Sequence, residues 1–199
     1  HTENSFQTIE MQPANTITAI NDIFFLNDSV GWIVGEEGKV LYSENKGDTW
    51  RAQNPKIVEN INEINFRNNN EGALAADGGN VIYTTDAGLN WHKSDIGSDI
   101  NINSLSVTDE SIWIAGENGL IKKSNDFGLT WENQITNTTD NINDISFYNS
   151  LSGCAVGDNS LLLYTNDGGQ NWNPPDSVVQ SESLIFNEVY FLGKNHAWA

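Results

Sequence analysis

Short runs of alternating apolar and polar residues return along this chain at a fixed spacing. Ile20-Asn21-Asp22-Ile23-Phe24-Phe25 is followed by Ile61-Asn62-Glu63-Ile64-Asn65-Phe66, Ile102-Asn103-Ser104-Leu105-Ser106-Val107 and Ile142-Asn143-Asp144-Ile145-Ser146-Phe147. A fifth version reads Phe186-Asn187-Glu188-Val189-Tyr190-Phe191. Side chains alternate across a strand, so Ile23, Ile64, Leu105, Ile145 and Val189 share one face with Phe25, Phe66, Val107, Phe147 and Phe191. A second run follows each of the first four: Gly31-Trp32-Ile33-Val34-Gly35, Gly72-Ala73-Leu74-Ala75-Ala76, Ile112-Trp113-Ile114-Ala115-Gly116 and Gly153-Cys154-Ala155-Val156-Gly157. A third comes after that, as Val40-Leu41-Tyr42 or Val81-Ile82-Tyr83. No stretch keeps a 3.6-residue apolar period, so the chain is expected to be all-β.

An octet closes every third run. Ser43-Glu44-Asn45-Lys46-Gly47-Asp48-Thr49-Trp50 recurs as Thr84-Thr85-Asp86-Ala87-Gly88-Leu89-Asn90-Trp91, Ser124-Asn125-Asp126-Phe127-Gly128-Leu129-Thr130-Trp131 and Thr165-Asn166-Asp167-Gly168-Gly169-Gln170-Asn171-Trp172. The closing Trp residues stand 41, 40 and 41 residues apart. A carboxylate or amide at the third position can accept the N–H groups that a tight turn leaves unpaired, and Gly at the fifth supplies positive φ. The Trp can bury ~150–250 Å² and anchor the outer part of one sheet on the next. Asn45, Trp50, Asp86, Trp91, Asp126, Trp131, Asp167 and Trp172 are therefore expected to be structural, with neutral Asn45 holding its turn slightly less firmly than the charged residues.

A period of this length matches one four-stranded blade of a β-propeller, for which ~40–45 residues is usual. The expected layout is a single propeller segment over residues 1–199: an outer strand at 5–12, repeats at 20–54, 61–94, 102–134 and 142–173, and an incomplete repeat at 185–199. Pro174-Pro175 opens the longest connection, from Asn173 to Ser183. The last repeat stops at Trp198-Ala199 within its second strand, and the segment is expected to belong to a longer chain.

The octet pattern, [Ser/Thr]-x-[Asp/Asn]-x-Gly-x-[Thr/Asn]-Trp, resembles the Asp-box or BNR repeat of sialidases, sortilin, xyloglucan-hydrolysing enzymes and proteins like the photosystem II stability and assembly factor. The wording of the inner strand and of Gly-Trp-x-Val-Gly resembles the assembly-factor group most. That resemblance implies a docking platform without catalysis, placed outside the cytoplasm as a secreted or cell-surface bacterial protein. The photosynthetic members carry an arginine-rich patch, whereas this chain holds only Arg51 and Arg67. Its start, His1-Thr2-Glu3-Asn4-Ser5, is compatible with a removed secretory leader or with a trimmed chain.

Charge narrows the partners. Nine basic residues stand against 27 acidic ones, a formal charge of −18. Nucleic acid and anionic membrane surfaces are excluded, because both need clustered Lys and Arg. No apolar run reaches the ~18 residues of a membrane-spanning helix, so direct membrane insertion is not expected. A protein or a glycan is the expected partner. Cys154, the single cysteine, rules out an intrachain disulfide and occupies a slot held elsewhere by Trp or Ala, as a small apolar residue would.

Two arginines cannot form the three-arginine clamp that the sialidase resemblance requires, so that activity is disfavoured. A glycoside hydrolase of the Asp-box class, working through two facing carboxylates, stays open as the alternative function. His1, His92 and His196 are isolated and suggest neither zinc nor a nucleophilic triad. No cofactor is expected; calcium stays open because Asp, Asn and carbonyl oxygens abound, although no EF-hand-like spacing occurs. The second-to-third strand turns place Glu36, Glu37, Asp77, Glu117 and Asp158 on the face opposite the octets, as a candidate binding rim for a cation or a basic partner. Turn capping is the competing reading of those five. Asp22, Glu63, Asp144 and Glu188 form a second acidic set on the inner strands, with Ser104 the exception, and either ring the channel or tie adjacent blades together.

Overall fold

The computed structural model describes residues 18–175, 183–193 and 196–199, so the outer strand expected at 5–12 lies outside the described residues. Three sheets are four-stranded antiparallel meanders in chain order. The first runs β1 (Ile20–Phe25), β2 (Gly31–Gly35), β3 (Lys39–Ser43) and β4 (Arg51–Gln53). The second runs β5 (Ile61–Phe66), β6 (Gly72–Ala76), β7 (Asn80–Thr84) and β8 (His92–Ser94), and the third β9 (Ile102–Val107), β10 (Ile112–Gly116), β11 (Ile121–Ser124) and β12 (Glu132–Asn133). The fourth has β13 (Ile142–Phe147), β14 (Gly153–Gly157) and β15 (Leu162–Thr165), and a last pair is β16 (Tyr190–Gly193) with β17 (His196–Trp198). The inner strands β1, β5, β9 and β13 are successive neighbours, which makes each sheet a blade. The final inner strand begins at Tyr190 and not at Phe186.

The fourth blade departs from the repeat for a reason visible in its sequence. Its outer strand is reduced to one bridge, Tyr164 with Asn173. In the ladder that follows, Pro174 and Pro175 fall where the third blade has Asn133 and Gln134, and there the Gln134 N–H donates to the Ile121 carbonyl at 3.0 Å. Proline has no N–H to give, so pairing stops.

Aromatic side chains fill two of the blade interfaces. Trp32 stacks on Phe66 of the next blade at 3.6 Å between centroids, and Trp113 on Phe147 at 4.1 Å. Trp91 and Trp172, the closing residues of the second and fourth octets, set their edges against Phe66 and Phe147. Between the second and third blades Ala73 replaces the inner Trp, and Val107 and Trp131 come from the far side. Beneath the rings the register places Phe66 opposite Gly72 and Phe147 opposite Gly153. A Cβ on Gly72 would lie 2.4 Å from the Phe66 ring, so only glycine admits the ring there. With no described sheet covering the first inner strand, Ile23 is 56% exposed and Phe25 40%.

The octets close through their third-position side chains, with one addition. The third-position side chain accepts from the backbone N–H four residues on: Asn45 from Thr49 (3.0 Å), Asp86 from Asn90 (2.8 Å), Asp126 from Thr130 (2.8 Å) and Asp167 from Asn171 (3.0 Å). Gly47, Gly88, Gly128 and Gly169 have φ between 78° and 91°, and the residue before each is also left-handed, Lys46 and Ala87 included. The addition is the leading hydroxyl. The buried Thr84 Oγ1 donates to Asp86 Oδ1 at 2.9 Å and accepts the Gly88 N–H at 2.9 Å, and Ser43, Ser124 and Thr165 repeat this. Side-chain donors then hold the carboxylates below the ordinary range: Asn90 for Asp86, Asn171 for Asp167, and Thr130 for Asp126, which falls to about 2.

Lys122 breaks the apolar pattern, standing across from Ile114 where the other blades have Leu41, Ile82 and Leu163. It is buried and donates to the Ile96 carbonyl at 2.6 Å. Lys122→Met keeps the stem but leaves that buried carbonyl unpaired, and should cost about 1–2 kcal/mol in urea unfolding. An unchanged midpoint would mean that the bond does no more than offset the burial of the charge.

Candidate functional site

The Asn-acid dipeptide of each inner strand reaches across to the next blade. Asn21, Asn62, Asn103 and Asn143 donate through Nδ2 to the carbonyls of Ile61, Ile102, Ile142 and Phe186, at 2.8, 2.8, 2.8 and 3.0 Å. The following acid accepts a backbone N–H from the same neighbour: Asp22 from Ile64 (3.0 Å), Glu63 from Leu105 (2.7 Å) and Asp144 from Val189 (2.6 Å). Ser104, the exception in sequence, takes the same place with its hydroxyl, accepting from Ile145 at 3.1 Å and donating to Asp144 at 2.6 Å. Each interface thus has a donor and an acceptor about 40 residues from their partners, so these carboxylates tie adjacent blades together. A second clasp lies further out. Gln53 Nε2 donates to the Ala87 carbonyl at 2.8 Å, while Ser94 donates to the Gly128 carbonyl and accepts from Trp131 Nε1 at 2.7 Å.

The same dipeptides, with Asn187 and Glu188, line a central cavity of about 300 Å³. Burial pushes the Asp22 carboxyl up, and Asp144 likewise. Glu63 is pushed well above the usual range, by burial first and by the nearby Asp144 charge second. Burial and mutual repulsion thus oppose ionisation along the cavity wall. Among the described residues no group of three or more His, Cys, Asp or Glu is placed to hold a metal ion.

The five rim candidates divide. Glu36 and Glu37 are exposed. Asp77, Glu117 and Asp158 are partly buried and accept from asparagines. Asp77 takes Asn60 and Asn62 (3.2 and 3.0 Å), Asp158 takes Asn141 and Asn143 (3.0 and 3.1 Å), and Glu117 takes Asn101 (3.0 Å). Asn101 and Asn141 also accept the N–H of Gly78 and Asn118 in the preceding blade's turn. None of the five lines the central cavity. Cys154 is half-buried, and burial pushes its thiol up to about 11, which suits a packing role and not a nucleophile.

The repeat, its octet and the inter-blade clasp recur across the chain, and so does one family's model. The model described as photosynthesis system II assembly factor YCF48 matches residues 1–100, 55–137 and 129–199. The chain belongs to that family. Against the YCF48 of Thermosynechococcus vestitus, a photosystem II assembly protein, it is 43% identical over 56 residues, 28% of this chain and 16% of that one. Against the photosystem II assembly lipoprotein Ycf48 of Trichormus variabilis it is 44% identical over 52 residues, 26% and 15%. The matched segments thus span about a sixth of those relatives. Among solved structures, YCF48 bound to a D1 peptide has a TM-score of 0.51 at 14% identity, covering 80% of this chain and 67% of that one. An ancestral GH74 enzyme reaches 0.65 at 16% identity, covering 83% and 26%. The GH74 xyloglucanase of Xanthomonas campestris reaches 0.65 at 12%, covering 84% and 33%. These structures share the β-propeller fold with this YCF48-family chain.

Proposed function

We propose that this chain is part of a non-catalytic β-propeller that binds a protein partner outside the cytoplasm, without a cofactor. The observation that carries the reading is the use of the recurring carboxylates: Asp22, Glu63 and Asp144 clasp neighbouring blades, and Asp86, Asp126 and Asp167 close turns. Each of these carboxylates accepts a backbone N–H that holds the fold together, so its recurrence is explained without catalysis. A family relative solved with a peptide supports the class of partner, and relatives named lipoproteins support the location. Glu36, whose carboxylate accepts the Ala19 N–H at 3.4 Å, and Glu37 are the exposed rim residues that can meet a cationic group, while Asp77, Glu117 and Asp158 hold loops.

The likeness to GH74 folds motivates the second reading, a carbohydrate-active or glycan-binding propeller. Purified protein incubated with xyloglucan and bacterial polysaccharides is expected to release no reducing ends. Release that vanishes on replacing Asp22, Glu63 or Asp144 by its amide makes the chain an enzyme instead. Location is tested by antibody access on intact cells, where protection from the antibody would count against display at the surface.

The rim division has its own test. E36Q/E37Q should leave the melting temperature unchanged, whereas D77N/E117Q/D158N should cost about 1–2 kcal/mol through lost loop hydrogen bonds. Equal behaviour of the two variants would return all five to a single role.

A further inference from the structure

Two hollows on the octet side of the molecule meet at Glu110 and Ser150, which line both. The inner one, about 430 Å³, lies over the ends of the inner strands between Arg67 and Tyr148. The outer one, about 450 Å³, runs between the outer strand of the third blade and the octet of the fourth. Joined at Glu110 and Ser150, they make a radial groove from the centre to the edge.

Its charge is one-sided. Asp109, Glu110 and Glu132 are exposed, and their carboxylates have no hydrogen bond or ion pair among the described residues. The two cations of the groove are already committed. Arg67 forks onto Glu71 (3.1 and 2.9 Å), donates to the Asp109 carbonyl (2.8 Å) and lies over the Phe127 ring. Lys123 points to the Gly168 carbonyl (3.4 Å) and lies over the Trp113 ring. Arg67 is neutralised by Glu71, whereas the Lys123 ammonium meets only a carbonyl and a ring and keeps its charge; with Asp109, Glu110 and Glu132 unpaired, the net charge of the groove is negative.

The groove also offers what an extended backbone needs. Gln134 donates back to Ile121, so by strand alternation Asn133 turns its N–H and C=O groups away from β11, at the outer edge of the third blade. Ile135 is 76% exposed and Leu151 55%, giving apolar contacts beside the carboxylates. Unpaired edge groups together with alternating side-chain sites are the requirements for docking an extended segment.

We propose that this groove docks an extended peptide segment of a partner protein carrying lysine or arginine alternating with apolar residues. It rests on the protein-binding reading above and places the contact on the octet side, away from the Glu36–Glu37 rim. The basic residues meet Glu110 and Glu132, and the apolar ones lie on Ile135 and Leu151.

The test is fluorescence polarisation with a labelled alternating Lys-Val peptide of about eight residues, and with its Glu-for-Lys counterpart. The protein is expected to bind the lysine peptide saturably and the glutamate peptide not at all. E110Q/E132Q should weaken binding about tenfold or more, with an unchanged melting curve. S150W closes the junction without changing net charge, and should weaken binding as much, which diffuse attraction to an acidic protein would not. Binding unaltered in E110Q/E132Q overturns the proposal, as does equal affinity for both peptides. Loss in E36Q/E37Q alone moves the contact to the rim and leaves the protein-binding reading standing. Displacement of the lysine peptide by a neutral cello-oligosaccharide overturns the proposal in favour of a glycan. Absence of any saturable peptide binding overturns the groove, and the polysaccharide assay then decides the broader reading.

Discussion

Trp113→Ala should lower the unfolding free energy by about 3–5 kcal/mol, the cost of emptying a large aromatic site that cannot collapse. Trp113 is fully buried, stacked on Phe147 of the next blade and edge-on to Trp172, with Lys123 over its ring. Removing it takes a contact from three neighbours at once and opens the interface between the third and fourth blades. Ala73, in the corresponding place one blade earlier, shows what a small residue requires: Val107 and Trp131 approach from the far side to fill the space. Phe147 cannot move in the same way, because its ring already lies on Gly153. Trp113→Phe should cost clearly less, since a ring still covers Phe147. Urea unfolding read by circular dichroism measures both. A loss below about 1 kcal/mol for the alanine variant would mean that the blades are held mainly by the Asn-acid clasps and not by the stacked rings.

The period, the strand order and the octet were legible because each rests on residues close in sequence that must recur whenever the unit recurs. Ser-Glu-Asn-Lys-Gly-Asp-Thr-Trp states its own turn: an acceptor, a left-handed glycine and an anchor. The leading hydroxyl was less legible. Ser and Thr are common in turns, and nothing in the string says that Thr84 would be buried and bonded on both sides. The inner-strand acids were readable as either channel or clasp, and geometry chose the clasp. Their asparagine neighbours carried the missing signal. An amide repeated before each acid, always one blade from a carbonyl, is as periodic as the Trp residues. Pro174-Pro175 was visible as the start of a loop, yet its consequence depends on register, because only the ladder shows which N–H the prolines fail to supply. The groove beside Glu110 had no sequence signature. It joins hairpins, an outer strand and an octet from three repeats, and none of these differs enough from its siblings to attract notice.

Acidification from about pH 8 to about pH 5 should raise the melting temperature, contrary to the usual behaviour of a protein held by carboxylates. Asp22, Glu63 and Asp144 have folded pKa values above their ordinary ones, with burial the leading cause in each. The folded state therefore binds protons more readily than the unfolded chain. Stability from these three falls as pH rises from the ordinary carboxylate range to the folded pKa values, and is recovered as pH is lowered again. The groups facing them across the cavity, Glu188 and one another, are acidic, so protonation relieves repulsion as well as desolvation. The chain's charge of −18 acts in the same direction. The octets set the lower limit. Asp86, Asp126 and Asp167 have lowered pKa values, so their contribution is complete above the ordinary range and is lost as pH falls through it, to about 2 for Asp126. A maximum in acid should result, with a shallow limb towards alkali and a steep one towards strong acid. Glu63→Gln tests the assignment, because its amide oxygen can still accept the Leu105 N–H while the charge is gone. The variant should melt higher than the parent at about pH 8 and match it near pH 3, where Glu63 is protonated in both states. A parent curve that falls steadily from pH 8 to pH 5, or a variant that melts lower at every pH, would show that ionised Glu63 strengthens its blade contact instead of weakening it.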